Sequence, residues 1–236
     1  MIKFYSRSSV ALIALLIFFT SYHSFAQKIP GEEILQWESE IVVFDSLNLN
    51  EPSDVNTLLV TGSSSVRLWE SIHKDLEPYQ VMQRGYGGAK LTDYNYYAKR
   101  IIKPHPFKAI VVFVANDIAG VEGDKTPKEV KKLFQALVKQ VRRRSPGTPL
   151  CWVEITPTPK RWHVSQAIRE ANNLIKQYCD HNSDLHFIST YDYYMTSEGL
   201  PNLVYFREDS LHLNRNGYQL WTRIIKSSLE EAGIHP

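Results

Sequence analysis

Cysteine is scarce in this sequence, which holds only Cys151 and Cys179 among its 236 residues. Two cysteines cannot build the disulfide framework of a small secreted domain, so an apolar core must stabilise the chain. Their spacing leaves two options open, a disulfide and a pair of buried free thiols. Gly/Ser-rich linkers, low-complexity segments and internal repeats are also absent, which excludes a repeat architecture and gives no point at which to divide the chain.

Long hydrophobic runs are missing as well. The uncharged apolar stretch at residues 10–19 is too short to span a bilayer as a helix. Lys3 and Arg7 precede this stretch and Ser-Phe-Ala at 24–26 follows it, which is the order of a secretory signal peptide. The sequence therefore predicts a signal peptide over residues 1–26, export to the periplasm or the extracellular space, and no stable membrane anchor after cleavage.

Charge of one sign is not in excess. The formal net charge is +2, and removal of the signal peptide with Lys3 and Arg7 leaves 25 basic and 25 acidic residues. A balanced surface gives no electrostatic footprint for nucleic acid, so no nucleic-acid partner is expected.

The remaining residues, 27–236, alternate between short apolar runs and segments of helical periodicity. Runs that are apolar on both faces are typical of strands in a parallel sheet covered by helices. The clearest helix is predicted from Thr126, with Pro127 in the first turn and a capping box closed by Glu129. The pattern predicts one domain, a three-layer α/β/α sandwich around a five-stranded parallel sheet. The predicted strands lie at 58–61, around Val81, and at 109–115, 150–155 and 185–188.

In such folds, binding sites lie beyond the carboxyl ends of the strands. Ser64 follows the first predicted strand in the string Gly-Ser-Ser-Ser, where a hydroxyl is a candidate nucleophile and a helix cap is the simpler alternative. Gly-Tyr-Gly-Gly at 85–88 follows the second strand, but its spacing fits no nucleotide-binding motif, so no nucleotide cofactor is expected. Asn116 and Asp117 follow the third strand, where an amide is a candidate oxyanion donor and a turn is the alternative.

A carboxylate and an imidazole lie three residues apart near the C-terminus, at Asp209 and His212. In a helical turn this offset puts both side chains on one face. The carboxylate can then hold the imidazole at Nδ1 and leave Nε2 free as a base. A structural pair is the alternative reading of this motif alone. One sheet would bring all these junctions to a single edge, so together they predict a hydrolase site.

The order of these motifs resembles the four blocks of the SGNH or GDSL hydrolase superfamily over essentially all of residues 27–236. The strings GSSSVRLW, RGYGG and DSLHLNRNGY are similar to those of the branch related to platelet-activating-factor acetylhydrolase and bacterial lysophospholipase-like esterases. The resemblance implies a flavodoxin-like fold and hydrolysis of esters without a metal.

The resemblance also implies roles for individual residues. Ser64 matches the family nucleophile, and Asp209 and His212 match the acid and the base. The oxyanion hole is implied to use the backbone N–H groups of Ser64 and Gly88 and the side-chain amide of Asn116.

Further residues of the cleft follow from the same resemblance. The segment Thr-Pro-Thr-Pro-Lys-Arg-Trp at 156–162 resembles the cleft loop of this branch, so Arg161 and Trp162 are predicted to contact substrate. Ser63 replaces the usual aspartate and Val114 the usual glycine of the family pattern, and neither change removes a catalytic group. Lys90 is expected near the acyl pocket, without an assigned role.

The sequence thus predicts a secreted GDSL-type serine carboxylesterase that acts on short-acyl or acetyl esters and needs no cofactor. The expected partner is a small ester, an acylated glycan or a lipid-like substrate. One alternative is lysophospholipase or thioesterase action on longer acyl chains, which needs an apolar groove beside Ser64. A second alternative is a non-catalytic glycan-binding protein with the same fold.

Overall fold

A parallel sheet of five strands lies at the centre of the protein in the computed structural model, which describes residues 30–51, 53–102 and 106–236. The strand order across the sheet is β2-β1-β3-β4-β5, and every neighbouring pair is parallel. This is the flavodoxin-like order, so the predicted fold class is confirmed. The strands are β1 (Thr57–Gly62), β2 (Gln80–Gly85), β3 (Ala109–Phe113), β4 (Leu150–Val153) and β5 (Leu185–Ile188).

The burial of each strand explains how strong its apolar pattern is in the sequence. All residues of β1, β3 and β4 are buried, as expected for strands covered on both faces. The edge strand β2 exposes Gln80 and part of Gln83, which accounts for its weaker apolar signal. β3 and β4 end two residues earlier than predicted, at Phe113 and Val153. The apolar residues that follow are buried in the loops at the carboxyl edge instead.

Helices cover both faces of the sheet. The α-helices of the described residues are α1 (Glu32–Leu35), α2 (Glu38–Asn50), α3 (Ser64–Arg67), α4 (Ile72–Asp75), α5 (Leu91–Ile101), α6 (Pro127–Arg144), α7 (Ser165–Asp180) and α8 (Arg215–Glu231). Short 3₁₀ helices lie at Pro159–Val164, Tyr191–Tyr194 and Leu203–Tyr205.

Two aromatic contacts show that α6 and α8 lie on opposite faces. Phe134 of α6 packs against Trp152 with ring centroids 5.0 Å apart, and Trp221 of α8 packs against Phe113 at 4.9 Å. Trp152 pairs with Val112 in the sheet, and successive strand residues point to opposite faces. Phe113, the residue after Val112, therefore faces away from Trp152, and the sheet is the middle layer of three.

Local sequence signals set the ends of the long helices. The predicted capping box of α6 is confirmed, because the Glu129 N–H donates to Thr126 Oγ1 and the Thr126 N–H donates to Glu129 Oε2. Asn214 caps α8 by accepting a hydrogen bond from the Gly217 N–H at 3.1 Å. Apolar side chains at helical spacing then bury one face of each helix against the sheet.

Both cysteines are free and buried, which decides the question that the sequence left open. Burial raises the pKa of each thiol, Cys151 and Cys179, to about 12. Residues Gly31–Pro236 pack as one compact unit. The described residues contain no helix long and apolar enough to cross a membrane. The predicted signal peptide and its cleavage point after Ala26 lie outside the described residues.

Candidate active site

Three strand ends meet at the edge of the sheet that carries the candidate residues. Gly62 at the end of β1 pairs with Gly85 of β2 on one side and with Phe113 of β3 on the other. Gly62 has a φ of 138°, and a Cβ there would lie 1.9 Å from the carbonyl oxygen of Phe113. Only glycine allows this close approach, which lets the chain turn directly from β1 into the segment that holds Ser64.

Ser64 is the first residue of the short helix α3, and its side chain points to His212. The Oγ atom of Ser64 lies 2.9 Å from His212 Nε2. On the far side of the ring, His212 Nδ1 lies 2.6 Å from Asp209 Oδ2. The three side chains thus form one hydrogen-bonded chain, although Ser64 and His212 are 148 positions apart in the sequence.

The Asp209–His212 segment is a loop, so the expected helical turn is wrong. Ser210 has a φ of 58°, which is in the left-handed region and interrupts any helix. The offset of three residues still works because Asp209 Oδ1 accepts hydrogen bonds from the N–H groups of Leu211 and His212, each at 2.9 Å. This local turn folds the imidazole back onto the other carboxylate oxygen.

Asp209 is held in its ionised form by these contacts. Burial by itself raises the pKa of the carboxyl group, but the hydrogen bond from the His212 side chain and those from two backbone N–H groups outweigh it and lower the pKa to about 2. A carboxylate at this position favours the imidazole tautomer that carries its proton on Nδ1. Nε2 is then free to accept a proton from Ser64.

Asn116 follows β3 and lies in the pocket beside Ser64. Its Nδ2 atom donates to the carbonyl oxygen of Ala89 at 2.9 Å. Arg161 donates to Asn116 Oδ1 at 2.5 Å and to the Ala115 carbonyl oxygen at 2.7 Å. Burial lowers the pKa of Arg161.

Gly88 lies in the exposed turn after β2, one residue before Ala89, and is not among the residues that line the pocket. The α1–α2 segment supports this turn. The ring of Trp37 comes within 3.7 Å of the position of a Cβ on Gly88, and Glu40 accepts the Gly87 N–H at 3.2 Å. The sequence offers no signal for this contact, because no motif or periodicity links Trp37 and Glu40 to the turn after β2.

The pocket beside Ser64 is small. It leaves a volume of ≈ 20 Å³ for the centre of a water-sized molecule. Its wall is largely apolar on the side of the C-terminal loop, and two threonines that follow β4 add hydroxyl groups. The two threonines, Thr156 and Thr158, belong to the segment predicted as the cleft loop. The sequence did not identify the other wall residues, which are Phe113, Phe206, Leu211, Leu213 and Trp221.

Trp162 and Lys90 are placed apart from this pocket. Trp162 lines a separate surface groove together with residues of α7 such as Arg169. Lys90 is the N-cap residue of α5, where its backbone N–H donates to the buried carboxylate of Asp93 at 3.1 Å. Neither side chain lines the space beside Ser64.

A second buried carboxylate lies next to Asn116. Asp117 accepts the N–H of Leu91 at 2.9 Å through Oδ2, while its Oδ1 atom has no hydrogen-bond partner. Burial raises the pKa of Asp117 to about 6, and the nearby Asp93 carboxylate adds to the rise. The described residues contain no group of three or more His, Cys, Asp and Glu side chains placed to hold a metal ion.

Comparison with known proteins agrees with this architecture. Residues 57–220, more than half of the chain, match the model of the GDSL-like Lipase/Acylhydrolase family. No curated protein matches the chain.

Several solved structures are similar to this one. A Streptococcus pneumonia protein, provisionally named a platelet activating factor, has a TM-score of 0.72 and 21% identity, covering 84% of this chain and 94% of its own. A GDSL-like lipase from Bacteroides thetaiotaomicron has a TM-score of 0.67 and 16% identity, covering 81% and 98%. The C-terminal catalytic domain of the Streptococcus pneumoniae peptidoglycan O-acetyltransferase A has a TM-score of 0.57 and 13% identity, covering 78% and 98%. At these identities the likeness concerns the fold alone.

Proposed function

The chain belongs to the GDSL-like lipase/acylhydrolase family and is an ester hydrolase, and from this premise we propose that it is a secreted serine esterase for short-acyl esters. The proposed catalytic triad consists of Ser64, His212 and Asp209. One observation carries the proposal, the unbroken hydrogen-bonded chain from Ser64 Oγ through the imidazole to the Asp209 carboxylate.

The reaction has two stages. His212 Nε2 removes the Ser64 hydroxyl proton while Oγ attacks the ester carbonyl carbon, and Asp209 stabilises the imidazolium that forms. The imidazolium then gives its proton to the departing alcohol, which leaves the acyl group on Ser64. Water, deprotonated by the same nitrogen, attacks this acyl-enzyme, and the acid is released as Ser64 recovers its proton.

The tetrahedral intermediates of both stages carry a negative oxygen. We assign its stabilisation to the backbone N–H groups of Ser64 and Gly88 and to the side-chain amide of Asn116. Asn116 supports this assignment best, since it lines the same pocket as Ser64 and has a second amide hydrogen besides the one bonded to Ala89.

The size of the pocket supports a short acyl group. A volume of ≈ 20 Å³ for the centre of a water-sized molecule is room for an acetyl group, whereas a palmitoyl chain needs an extended apolar groove. The substrate class that we propose is therefore an acetyl ester, and an O-acetylated glycan outside the cytoplasm fits both this pocket and the predicted signal peptide.

The test is hydrolysis of a p-nitrophenyl ester series, from acetate to palmitate, by purified protein of residues 27–236. Ser64→Ala and His212→Ala should each lower kcat on acetate by at least about a thousandfold, because each removes a member of the proton-transfer chain. Ser46→Ala is the matched control, since this exposed hydroxyl on α2 donates to the Val42 carbonyl oxygen and does not line the pocket, and it should leave kcat close to that of the unmodified protein.

Each alternative predicts a different outcome. A preference for long chains that depends on Ser64 would replace the short-acyl proposal by lysophospholipase or thioesterase action. If no ester is hydrolysed and a fluorophosphonate fails to label Ser64, the protein is not a serine esterase and the glycan-binding alternative takes its place. Export is tested separately, by following the full-length chain to the periplasm or medium and sequencing its new N-terminus.

A further inference from the structure

Arg161 is a cation of the site that the mechanism above leaves without a role. It is half-buried and lines the pocket together with Ser64 and Asn116. In the described part of the chain, no carboxylate forms an ion pair with it. Holding an unpaired guanidinium partly out of water costs free energy, so a compensating gain is expected from its contacts.

The two hydrogen bonds of Arg161 go to Asn116 and to the residue before it. Arg161 donates one hydrogen bond to Asn116 Oδ1 and another to the carbonyl oxygen of Ala115, the preceding residue. A guanidinium can only donate, so the side-chain oxygen of Asn116 has to face it. The amide nitrogen then faces the opposite way, where one hydrogen is bonded to Ala89 and the second is left for a ligand.

We propose that Arg161 is a positioning residue for Asn116, which fixes the amide with its N–H toward the oxyanion and does not bind the substrate itself. This inference rests on the proposed esterase function. The charged donor on the amide oxygen also polarises the amide, which makes its N–H a stronger donor to negative charge. The role differs from the substrate contact that the sequence predicts for Arg161.

A residue that acts through Asn116 becomes ineffective once the amide is removed. The test is therefore a double-mutant cycle with Arg161→Met, Asn116→Ala and the double variant, assayed on p-nitrophenyl acetate. Asn116→Ala should lower kcat about a hundredfold, as for other oxyanion donors. Arg161→Met should lower kcat about tenfold with KM within about twofold, but lower it less than about threefold in the Asn116→Ala background.

Arg169→Met is the matched control, because Arg169 is exposed and packs over the ring of Tyr191, with no contact to Asn116. It should leave kcat and KM unchanged. Arg161→Lys keeps the charge but loses the forked geometry, so its kcat should lie between those of Arg161→Met and the unmodified protein. If Arg161→Met does not fold by circular dichroism, the same cycle is run with Arg161→Lys.

Two results would overturn the proposal, an equal loss of kcat in both backgrounds and a loss confined to KM. The first would show that Arg161 acts independently of Asn116, and the second would assign Arg161 to substrate binding. Ser64→Ala is assayed in parallel, because full activity in that variant would refute the proposed function and this inference with it. Loss of activity in Ser64→Ala together with an additive cycle would refute only the role of Arg161.

Discussion

Asp209 uses both of its carboxylate oxygens. Oδ2 accepts from the imidazole of His212, and Oδ1 accepts from two backbone N–H groups that shape the loop. Since these contacts lower its pKa to about 2, the carboxylate is ionised at neutral pH. Replacing Asp209 by a neutral side chain of equal size therefore tests whether the site needs its negative charge or only its hydrogen bonds to the loop.

The variant Asp209→Asn removes the negative charge and keeps the size of the side chain. The amide oxygen can still accept the loop N–H groups, but its NH₂ group would favour the imidazole tautomer with its proton on Nε2, which cannot act as a base toward Ser64. We expect kcat on p-nitrophenyl acetate to fall by about 10³ to 10⁴ at neutral pH, with an unchanged circular dichroism spectrum. A loss below tenfold would show that Asp209 is not the acid of the site.

Asp117 has the opposite electrostatic character. It is only 2% exposed, and burial raises its pKa to about 6. At pH values below about 4 the group is protonated in both the folded and the unfolded chain. Between about 4 and 6 only the folded protein holds the proton, so the free energy of unfolding decreases as the pH rises through this window, and the loss persists above it.

Asp117→Asn should remove this loss, because the amide keeps an acceptor for the Leu91 N–H and carries no charge. We expect the free energy of unfolding to rise by about 2 kcal/mol at pH 8 and to remain nearly unchanged at pH 4. Urea denaturation at both pH values measures the difference. The exposed Asp180→Asn serves as control, and a gain of the same size at both pH values would contradict the assignment.

Among the elements, the carboxyl end of β1 tolerates the least change. Gly62→Ala would place a Cβ 1.9 Å from the Phe113 carbonyl oxygen in a conformation with φ of 138°. We expect a destabilisation of at least about 3 kcal/mol and loss of esterase activity. Gly147→Ala is the control, since its φ of 77° is also positive but nothing lies within 4 Å, so only about 1 kcal/mol should be lost. Equal costs at both sites would refute the steric explanation.

The strands and helices differ in how far they can be predicted from local sequence patterns. Signals carried by adjacent residues predict structure well: the apolar runs give the five strands, and Thr126 with Glu129 gives the start of α6. The positions of Ser64 and Asn116 follow because parallel strands end at one edge, whereas His212 is brought to that edge by the loop before α8.

Other features depend on how loops run in space. Arg161 reaches Asn116 across 45 positions, and Trp37 covers the Gly88 turn from the turn between α1 and α2, ahead of the sheet. The left-handed Ser210 has no residue signal either, since serine is not typical of that conformation. No local pattern encodes these contacts, so reasoning from periodicity and motifs could not find them.

At the scale of the whole molecule, the buried thiols report on the integrity of the fold. Cys151 lies in β4 and Cys179 in the last turn of α7, both nearly inaccessible and with a pKa of about 12. Neither should react with a thiol reagent such as DTNB in the native protein, and both should react on unfolding, at the rate at which activity disappears. Reaction of one thiol while activity is retained would reveal local opening instead. In a Cys179→Ser variant the reaction of Cys151 can be followed alone.

The two ends of the loop that carries Asp209 and His212 are hydrogen-bonded to each other. Phe206 and Leu213 form an antiparallel bridge across its base, and Asn214 joins it to α8 while donating to the Phe206 carbonyl oxygen. The acid and the base therefore lie in one self-bonded loop, whose backbone contact with a neighbouring loop is the hydrogen bond from the Lys160 N–H, after β4, to the Ser210 carbonyl oxygen at 3.0 Å. Substitutions in the turn after β2 can then change the substrate range while the Asp209–His212 pair keeps its geometry, whereas the loop after β4 has to keep its contact with Ser210.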